Sequence, residues 1–335
     1  MAKERLSNKI EIRDDEYTKD IIQKARRKKL HVYYGNDPRL IPYKVPFDIP
    51  QLDTILGGGI PLGRSILVTG NFGSGKTFFG QITMANFQKN NLSVAYVDTE
   101  RRYDPEWFSH SGINVDKLFV AQPDSGENAL DICAFFIQEK MGLVVLDSVA
   151  ALAPTAELEG SMDDNTVAAI ARLLNKGLRK ITAENIADED LVYRGTAFMI
   201  INQMRSGIGP FTSYSLPGGQ GQQFFSSIIL RVMRGSWLEE DGKKIGFNMK
   251  FHTEKNNLAE WPQECHLPFN FTGMLDTVGG LVELAIDIGV IKQAGPYYFF
   301  TGSEDKKIQG KQALIEHIKG NTELFEEIKA KIYEV

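Results

Sequence analysis

The chain has 335 residues, 42% of them hydrophobic and 24% charged, with a formal net charge of −5. This composition suits a soluble globular protein, and the length exceeds the usual single domain, so one large core with smaller appendages is expected. The longest apolar runs, at 142–149 and 197–201, are too short to span a membrane, residues 1–5 carry no apolar leader, and Cys133 and Cys265 lack metal-ligand spacing. A cytoplasmic protein with packed, reduced thiols and no membrane partner is expected. The negative total neither advertises nor excludes nucleic-acid binding, which depends on local patches.

Residues 14–30 read as an amphipathic helix with Tyr17, Ile21, Ile22 and Ala25 on one side. Its basic end, 24–29, reads either as a solvated helix terminus or as a basic patch. A stretch rich in Pro, Gly, Asn and Asp, 31–46, separates it from the rest, so the helix must dock on the core or on a neighbouring subunit. A short helix over 49–56 ends at Gly57, Gly58 and Gly59, which can adopt the left-handed backbone that stops helices.

Residues 64–68 are a short apolar, β-branched run, and 77–87 have near-helical apolar spacing. Between them Gly70, Gly75, Lys76 and Thr77 complete G-x-x-x-x-G-K-T, a phosphate-binding loop in its required strand–loop–helix setting. Glycines let backbone N–H groups turn toward phosphates, and the helix N-terminus adds partial positive charge. The expected nucleotide contacts are Gly70, Asn71, Phe72, Gly73, Ser74, Gly75, Lys76, Thr77 and Phe78. Lys76 would reach the β- and γ-phosphates, and the Thr77 hydroxyl would ligate Mg²⁺.

Strands are expected at 92–97 and 118–121, and a helix at 127–140. Residues 98–107 lie at a strand's C-terminal end, where ligands bind in open α/β sheets. The apolar strand 142–146 runs into Asp147 and Ser148; a strand-terminal acid beside a phosphate loop reads as a metal ligand, or else as a helix cap. A helix at 166–183, a surface loop at 184–195 and a strand at 196–201 follow. Residues 204–221 form a long aperiodic loop of the kind that is usually functional. Strands at 222–234 and 247–253 are expected to flank a charged hairpin connection, 235–246, and from 271 the composition predicts an α-rich tail.

The phrase Leu52-Asp53, then Leu56-Gly57-Gly58-Gly59-Ile60-Pro61 and Gly63 ahead of the phosphate loop resembles RecA, RadA and KaiC-type ATPases. Further phrases at 122–130, 146–154, 156–160, 201–209, 218–219, 280–290 and 293–298 resemble the RecA recombinases of bacteria, from about residue 45 to the end. The resemblance implies an α/β fold: a RecA-like P-loop NTPase core with a central, mostly parallel, twisted sheet, an N-terminal helical segment and a small C-terminal α/β domain. The corresponding division is 1–44 for an oligomerisation helix and linker, 45–270 for the ATPase core and 271–335 for the tail.

By the same resemblance, Glu100 polarises the attacking water, Asp147 joins Thr77 at the metal, and Asp104 and Trp107 contact adenine. Gln203 senses the γ-phosphate. Loops 159–167 and 204–219 hold single-stranded DNA, with Arg172, Arg179 and Arg205 on phosphates, Ile208 between bases, and Gly218 and Gly219 as backbone donors. Lys255 reaches the ATP of a neighbouring protomer. The sequence departs from the family pattern at Asn257, where a second lysine is expected, and at Gln223 and Gly207. It reads Glu334-Val335 where the family carries an acidic tail, so tail-based regulation is not expected.

The implied function is an ATP- and Mg²⁺-dependent recombinase that forms homo-oligomeric helical filaments on single-stranded DNA and pairs it with double-stranded DNA. The alternatives are an ATP-binding paralogue that assists another recombinase and a KaiC- or helicase-like ring ATPase.

Overall fold

The computed structural model describes residues 15–28, 30–159, 167–188, 193–206, 214–260, 263–272, 274–301 and 307–334. The chain divides into two compact units, 1–42 and 43–335.

In the first unit, helix α1 (Asp15–Arg27) matches the expected amphipathic segment, with Lys24, Arg26 and Arg27 in its last turn. Ala25 is buried, whereas Tyr17 and Ile21 stay exposed. A single turn at Pro38–Leu40 follows, capped by Asp37. Both Asp37 oxygens accept from Arg39, and these bonds hold the carboxyl down to about 2.

The second unit opens with β1 (Lys44–Val45), α2 (Pro50–Leu56) and β2 (Ile60–Pro61), and β1 pairs with β2. Gly57, at φ +69°, ends α2 as expected. Strand, helix and loop then alternate: β3 (Ser65–Gly70), α3 (Lys76–Lys89), β4 (Val94–Asp98), α4 (Pro105–His110), β5 (Leu118–Ala121), α5 (Gly126–Gln138), β6 (Leu143–Asp147), α6 (Thr155–Glu159), α7 (Val167–Glu184) and β7 (Ala197–Gln203). A small hairpin, β8 (Arg205–Ser206) with β9 (Tyr214–Ser215), interrupts the long loop. Then come α8 (Gly221–Phe225), β10 (Ser226–Glu240), β11 (Lys243–Asn256), β12 (Glu264–Asn270) and β13 (Met274–Leu275).

The main sheet has nine strands in the order β13-β12-β11-β10-β3-β7-β6-β4-β5. From β10 to β5 all neighbours are parallel; β11, β12 and β13 add an antiparallel flank. Successive side chains of a strand point to opposite faces, so β3 serves two cores. Ile66 and Val68 join Phe79, Met84, Phe87 and Phe108 on the side of α3 and α4. Leu67 joins Leu130, Cys133, Leu174 and Leu178 on the side of α5 and α7. Phe79 is fully buried, with Phe47 and Phe251 at ring centroid distances of 5.7 and 5.4 Å. Burial of such a side chain contributes about 3 kcal/mol. Cys133 and Cys265 are buried and free, and burial pushes both thiols up.

The last segment comprises α9 (Thr277–Asp287), β14 (Ile291–Ala294), β15 (Tyr297–Phe300), β16 (Ile308–Gln309), α10 (Lys311–Lys319) and α11 (Thr322–Tyr333). Its own apolar core gathers Leu281, Val282, Tyr298, Leu314, Ile318 and Ile328. Tyr333 donates to the buried Asp53 on α2 at 2.7 Å, tying the end of the chain to its start within this unit.

Three expectations change. The segment expected as a strand from 222 begins with the turn α8, closed by Ser226 Oγ donating to the Gln222 carbonyl at 2.7 Å. The charged connection 235–246 is mostly strand: β10 and β11 continue to a tight turn at Asp241 and Gly242, whose φ angles of +49° and +73° suit a two-residue hairpin. The tail is not only helical, because the aromatic run Tyr297–Phe300 forms the middle strand of a three-stranded sheet. Its residues pair across strands, and Tyr298 alone of the four is buried. Among the described residues no helix is long and apolar enough to cross a membrane.

Candidate functional site

Parallel pairing sets the site. Gly70 is in register with Gln203 of β7, and Asp147 of β6 is in register with Asp98 of β4, so all four lie at one rim of the sheet. From Gly70 the phosphate loop turns into α3. Gly70 tolerates no side chain, since a Cβ there would run into the Val232 carbonyl oxygen. Gly75, at φ +93°, lies where a Cβ would meet Met249 Cε at 2.6 Å. A cavity of about 250 Å³ is lined by Phe72–Phe78, Glu100, Arg102, Asp147, Ser148 and Gln203.

Lys76 Nζ donates to the Asn71 carbonyl at 2.8 Å, and burial lowers its pKa against the opposing pull of Asp147 and Glu100. Asp147 Oδ2 accepts from Thr77 Oγ1 at 2.7 Å and from Tyr96 OH at 3.2 Å. Burial pushes the Asp147 carboxyl up to about 6, with the Thr77 bond opposing and the Glu100 charge adding to it. Among the described residues Ser74 Oγ is buried without a hydrogen-bond partner.

These features fit a nucleotide with a divalent cation. A carboxylate and a hydroxyl are hard oxygen ligands of the kind Mg²⁺ takes through one or two protein groups, and a cation there would favour the ionised Asp147. Among the described residues no group of three or more His, Cys, Asp or Glu could hold a metal by itself.

Glu100 also lines this cavity. Its Oε1 accepts from Ser148 Oγ at 2.7 Å, and its Oε2 is 2.9 Å from Arg102 Nη1. Ser148 is itself fixed by Thr99, whose Oγ1 donates to its carbonyl and accepts from its N–H, both at 2.8 Å. Ser148 and Arg102 were not foreseen as site residues. A hydroxyl directly after a strand-terminal acid was a usable signal for Ser148; nothing local marked Arg102.

A second cavity, of about 640 Å³, is lined by Ala168, Ala171, Arg205, Ser215, Leu216, Pro217, Gly218 and Gly219. The expected DNA residues Arg205, Gly218 and Gly219 therefore lie together against α7. Gly218 and Gly219 have φ of +81° and +73°, and a Cβ on Gly218 would meet Leu174 Cδ2 at 2.7 Å. Arg172 and Arg179 are exposed on α7, two turns apart. Ile208 lies outside the described residues, as do 160–166 and the rest of 207–213.

Strand β7 lines the first cavity and bonds to residues that line the second. Gln203 lines the first, and its neighbour Asn202 is fully buried. Asn202 Nδ2 donates to the Pro217 carbonyl and to Gln222 Oε1, both at 2.9 Å. Gln222 Nε2 in turn donates to the Pro217 and Gly219 carbonyls. Asn202 and Gln222 were also missed, because their roles depend on contacts that β7 and α8 make only after folding.

Some expected residues lie elsewhere. Asp104 caps α4, its Oδ1 accepting from Trp107 N at 2.9 Å; neither Asp104 nor Trp107 lines the phosphate-loop cavity. Trp107 is 44% exposed, leaving an indole face accessible. Lys255 Nζ donates to the Ser226 and Gln223 carbonyls at 2.7 and 3.1 Å, and it too is absent from that lining.

The sequence profile of the RecA N-terminal domain matches residues 44–273, and that of the RecA C-terminal domain matches 279–335. The chain belongs to the RecA family. Among its relatives, Protein RecA of Thermus aquaticus is 36% identical over 318 residues, covering 93% of this chain and 91% of that protein. Protein RecA of Acidothermus cellulolyticus is 34% identical, with 93% and 90% covered. Protein RecA of Streptomyces ambofaciens is 35% identical, with 87% and 77% covered. RecA-family membership makes this a recombinase of an ATP-using enzyme family that acts on DNA.

If Lys76 is the buried cation of the phosphate site, Lys76→Ala weakens ATP binding by roughly 10–100-fold, as expected for a lost charge-assisted bond. Titration with a fluorescent ATP analogue reads this directly, and unchanged affinity removes Lys76 from the site.

Proposed function

We propose that the chain is a DNA-dependent ATPase that assembles into helical filaments on single-stranded DNA and promotes homologous pairing and strand exchange with double-stranded DNA. The observation that carries this reading is strand β7, which links the two cavities. It presents Gln203 to the phosphate-loop cavity and, one residue earlier, anchors the glycine-bearing loop through Asn202, Pro217 and Gln222.

In this reading the loop 70–77 and Lys76 bind the triphosphate, and Ser74 Oγ finds its missing partner there. Thr77 and Asp147 hold Mg²⁺, which would neutralise phosphate charge. Glu100, oriented by Ser148, accepts the proton of the attacking water. Trp107 offers a face for adenine stacking, with Asp104 beside it. Gln203 responds to the γ-phosphate, and the Asn202–Gln222 bonds carry its displacement to the loop that holds DNA. Arg172, Arg179 and Arg205 neutralise DNA phosphates, so binding weakens with salt through counterion release. The working domain division is 1–44 for assembly, 45–270 for the ATPase core and 271–335 for the tail.

Single-stranded DNA should raise ATP turnover, and joint molecules should form between it and homologous duplex. Glu100→Gln should keep ATP bound yet hydrolyse it about 100-fold more slowly, in the range for loss of a general base. Turnover that ignores both DNA and this substitution would leave only an ATP-binding accessory protein.

The apolar residues Tyr17 and Ile21 on α1 are exposed, which suits docking on a neighbouring protomer. Deleting residues 1–30 should leave a folded, ATP-binding protein that no longer polymerises. Filaments of normal length in electron micrographs of the truncated protein would sink this role.

Lys255, at the end of β11 and outside its own phosphate cavity, is proposed to supply a cation to the adjacent protomer's ATP. Lys255→Ala should bind ATP normally as a monomer and lose DNA-stimulated turnover by roughly 100-fold or more. Mixing it with Lys76→Ala should restore partial activity, because some interfaces then pair an intact loop with an intact Lys255. A mixture as inactive as its components, together with weak monomeric ATP binding, argues for a role within one chain.

A further inference from the structure

We propose that Arg102 is a catalytic cation supplied by the protomer that binds the nucleotide: it holds Glu100 before a triphosphate binds and moves onto the terminal phosphate afterwards. This rests on the ATPase reading above and adds a residue and a switching step to it.

The backbone sets up the arrangement. Glu100, Arg101 and Arg102 follow the end of β4, and Arg101 adopts a left-handed φ of +54°, uncommon for a residue with a bulky side chain. The two arginines serve different places. Arg101 lines a separate cavity with Thr99, Asp124 and Ser125, and its Nη2 donates to the Pro123 carbonyl at 3.4 Å. Arg102 lines the phosphate-loop cavity instead. Strained backbone of this kind persists where a site requires it.

The charges at the cavity explain what Arg102 can do. Among the described lining residues the cations are Lys76 and Arg102, and the anions are Glu100 and Asp147. Lys76 is buried and bonded to the loop carbonyl of Asn71. Arg102 has a side chain 69% exposed, against 17% for its partner Glu100, and lies 2.9 Å from Glu100 Oε2. An ion pair with one arm in solvent is weak, so the guanidinium can leave without disturbing any packing. A terminal phosphate offers two or more anionic oxygens to its planar fork, a better match than a single carboxylate oxygen.

That exchange has two effects. Positive charge arrives where charge develops as the bond between the γ-phosphorus and the bridging oxygen breaks and its electron pair goes to the β-phosphate. Glu100 Oε2 is released to accept the proton of the water whose oxygen bonds to the γ-phosphorus, while Ser148 keeps Oε1 in place. Before triphosphate binds, the same arginine occupies the base.

The test compares the wild type, Arg102→Ala, Arg102→Lys, Glu100→Gln and the Glu100→Gln/Arg102→Ala double variant. Affinities for Mg·ADP and for Mg·ADP with beryllium fluoride, a mimic of the terminal phosphate, are read by competition with a fluorescent nucleotide; DNA-stimulated turnover is measured in parallel. The expected result is unchanged ADP affinity in Arg102→Ala, a loss of at least about tenfold in the preference for ADP–beryllium fluoride, and turnover lower by about 100-fold or more. Arg102→Lys should recover part of both. The preference should fall equally in the Glu100→Gln background, where a residue that only oriented Glu100 would have no effect. An unchanged preference in either background, with the wild type active, overturns the proposal. A wild type that neither turns over ATP nor prefers the mimic overturns the ATPase reading itself.

Discussion

Parallel pairing of β4, β6, β7 and β3 is the constraint on which the rest of the molecule depends. Four strand ends, Asp98, Asp147, Gln203 and Gly70, reach one rim because the ladder holds the strands in step. The strands are buried on both faces, so a slip of one residue would exchange the two cores and misplace every rim residue together. The cores of Phe79 and Leu130 on opposite faces thereby also fix the position of the chemistry.

Along that rim, charge is crowded more closely than folding alone would favour. Burial raises the proton affinity of Asp147, and the neighbouring Glu100 charge adds to it, as expected where an anion is held out of water. Lys76 shares the burial and is tied to a loop carbonyl. Such an arrangement is poorly balanced for its own sake and well matched to a polyanion carrying a divalent cation, which is the usual relation between strained electrostatics and function.

The nucleotide rim also reaches the second cavity through a very short path. Asn202 and Gln203 are adjacent on β7; Gln203 lines the first cavity, and Asn202 is buried and bonded to Pro217, which lines the second. The buried amides of Asn202 and Gln222 hold the Pro217–Gly219 backbone by direct bonds. Fully bonded buried polar networks of this type rigidify the segments that they join.

The phosphate loop, the strand-terminal Asp147 and the amphipathic helices were legible in the sequence, because each depends on residue types at short, regular spacing. Lys76 and Thr77 are carried by eight consecutive positions, and the end of α2 and the start of α3 by glycines whose backbone freedom is intrinsic. The family phrases extended this to Glu100 and Gln203. Tertiary structure alone decided which residues hold these in place. Ser148 holds Glu100 across strands β4 and β6, and Asn202 meets Gln222 over a separation of 20 residues. The length to which β10 and β11 pair beyond residues 234 and 247 and the aromatic strand β15 were hidden for the same reason: cross-strand pairing supplies the stabilisation, and local spacing does not record it. Short-range patterns follow from backbone geometry, whereas a hydrogen bond between distant side chains exists only once the sheet has set their distance.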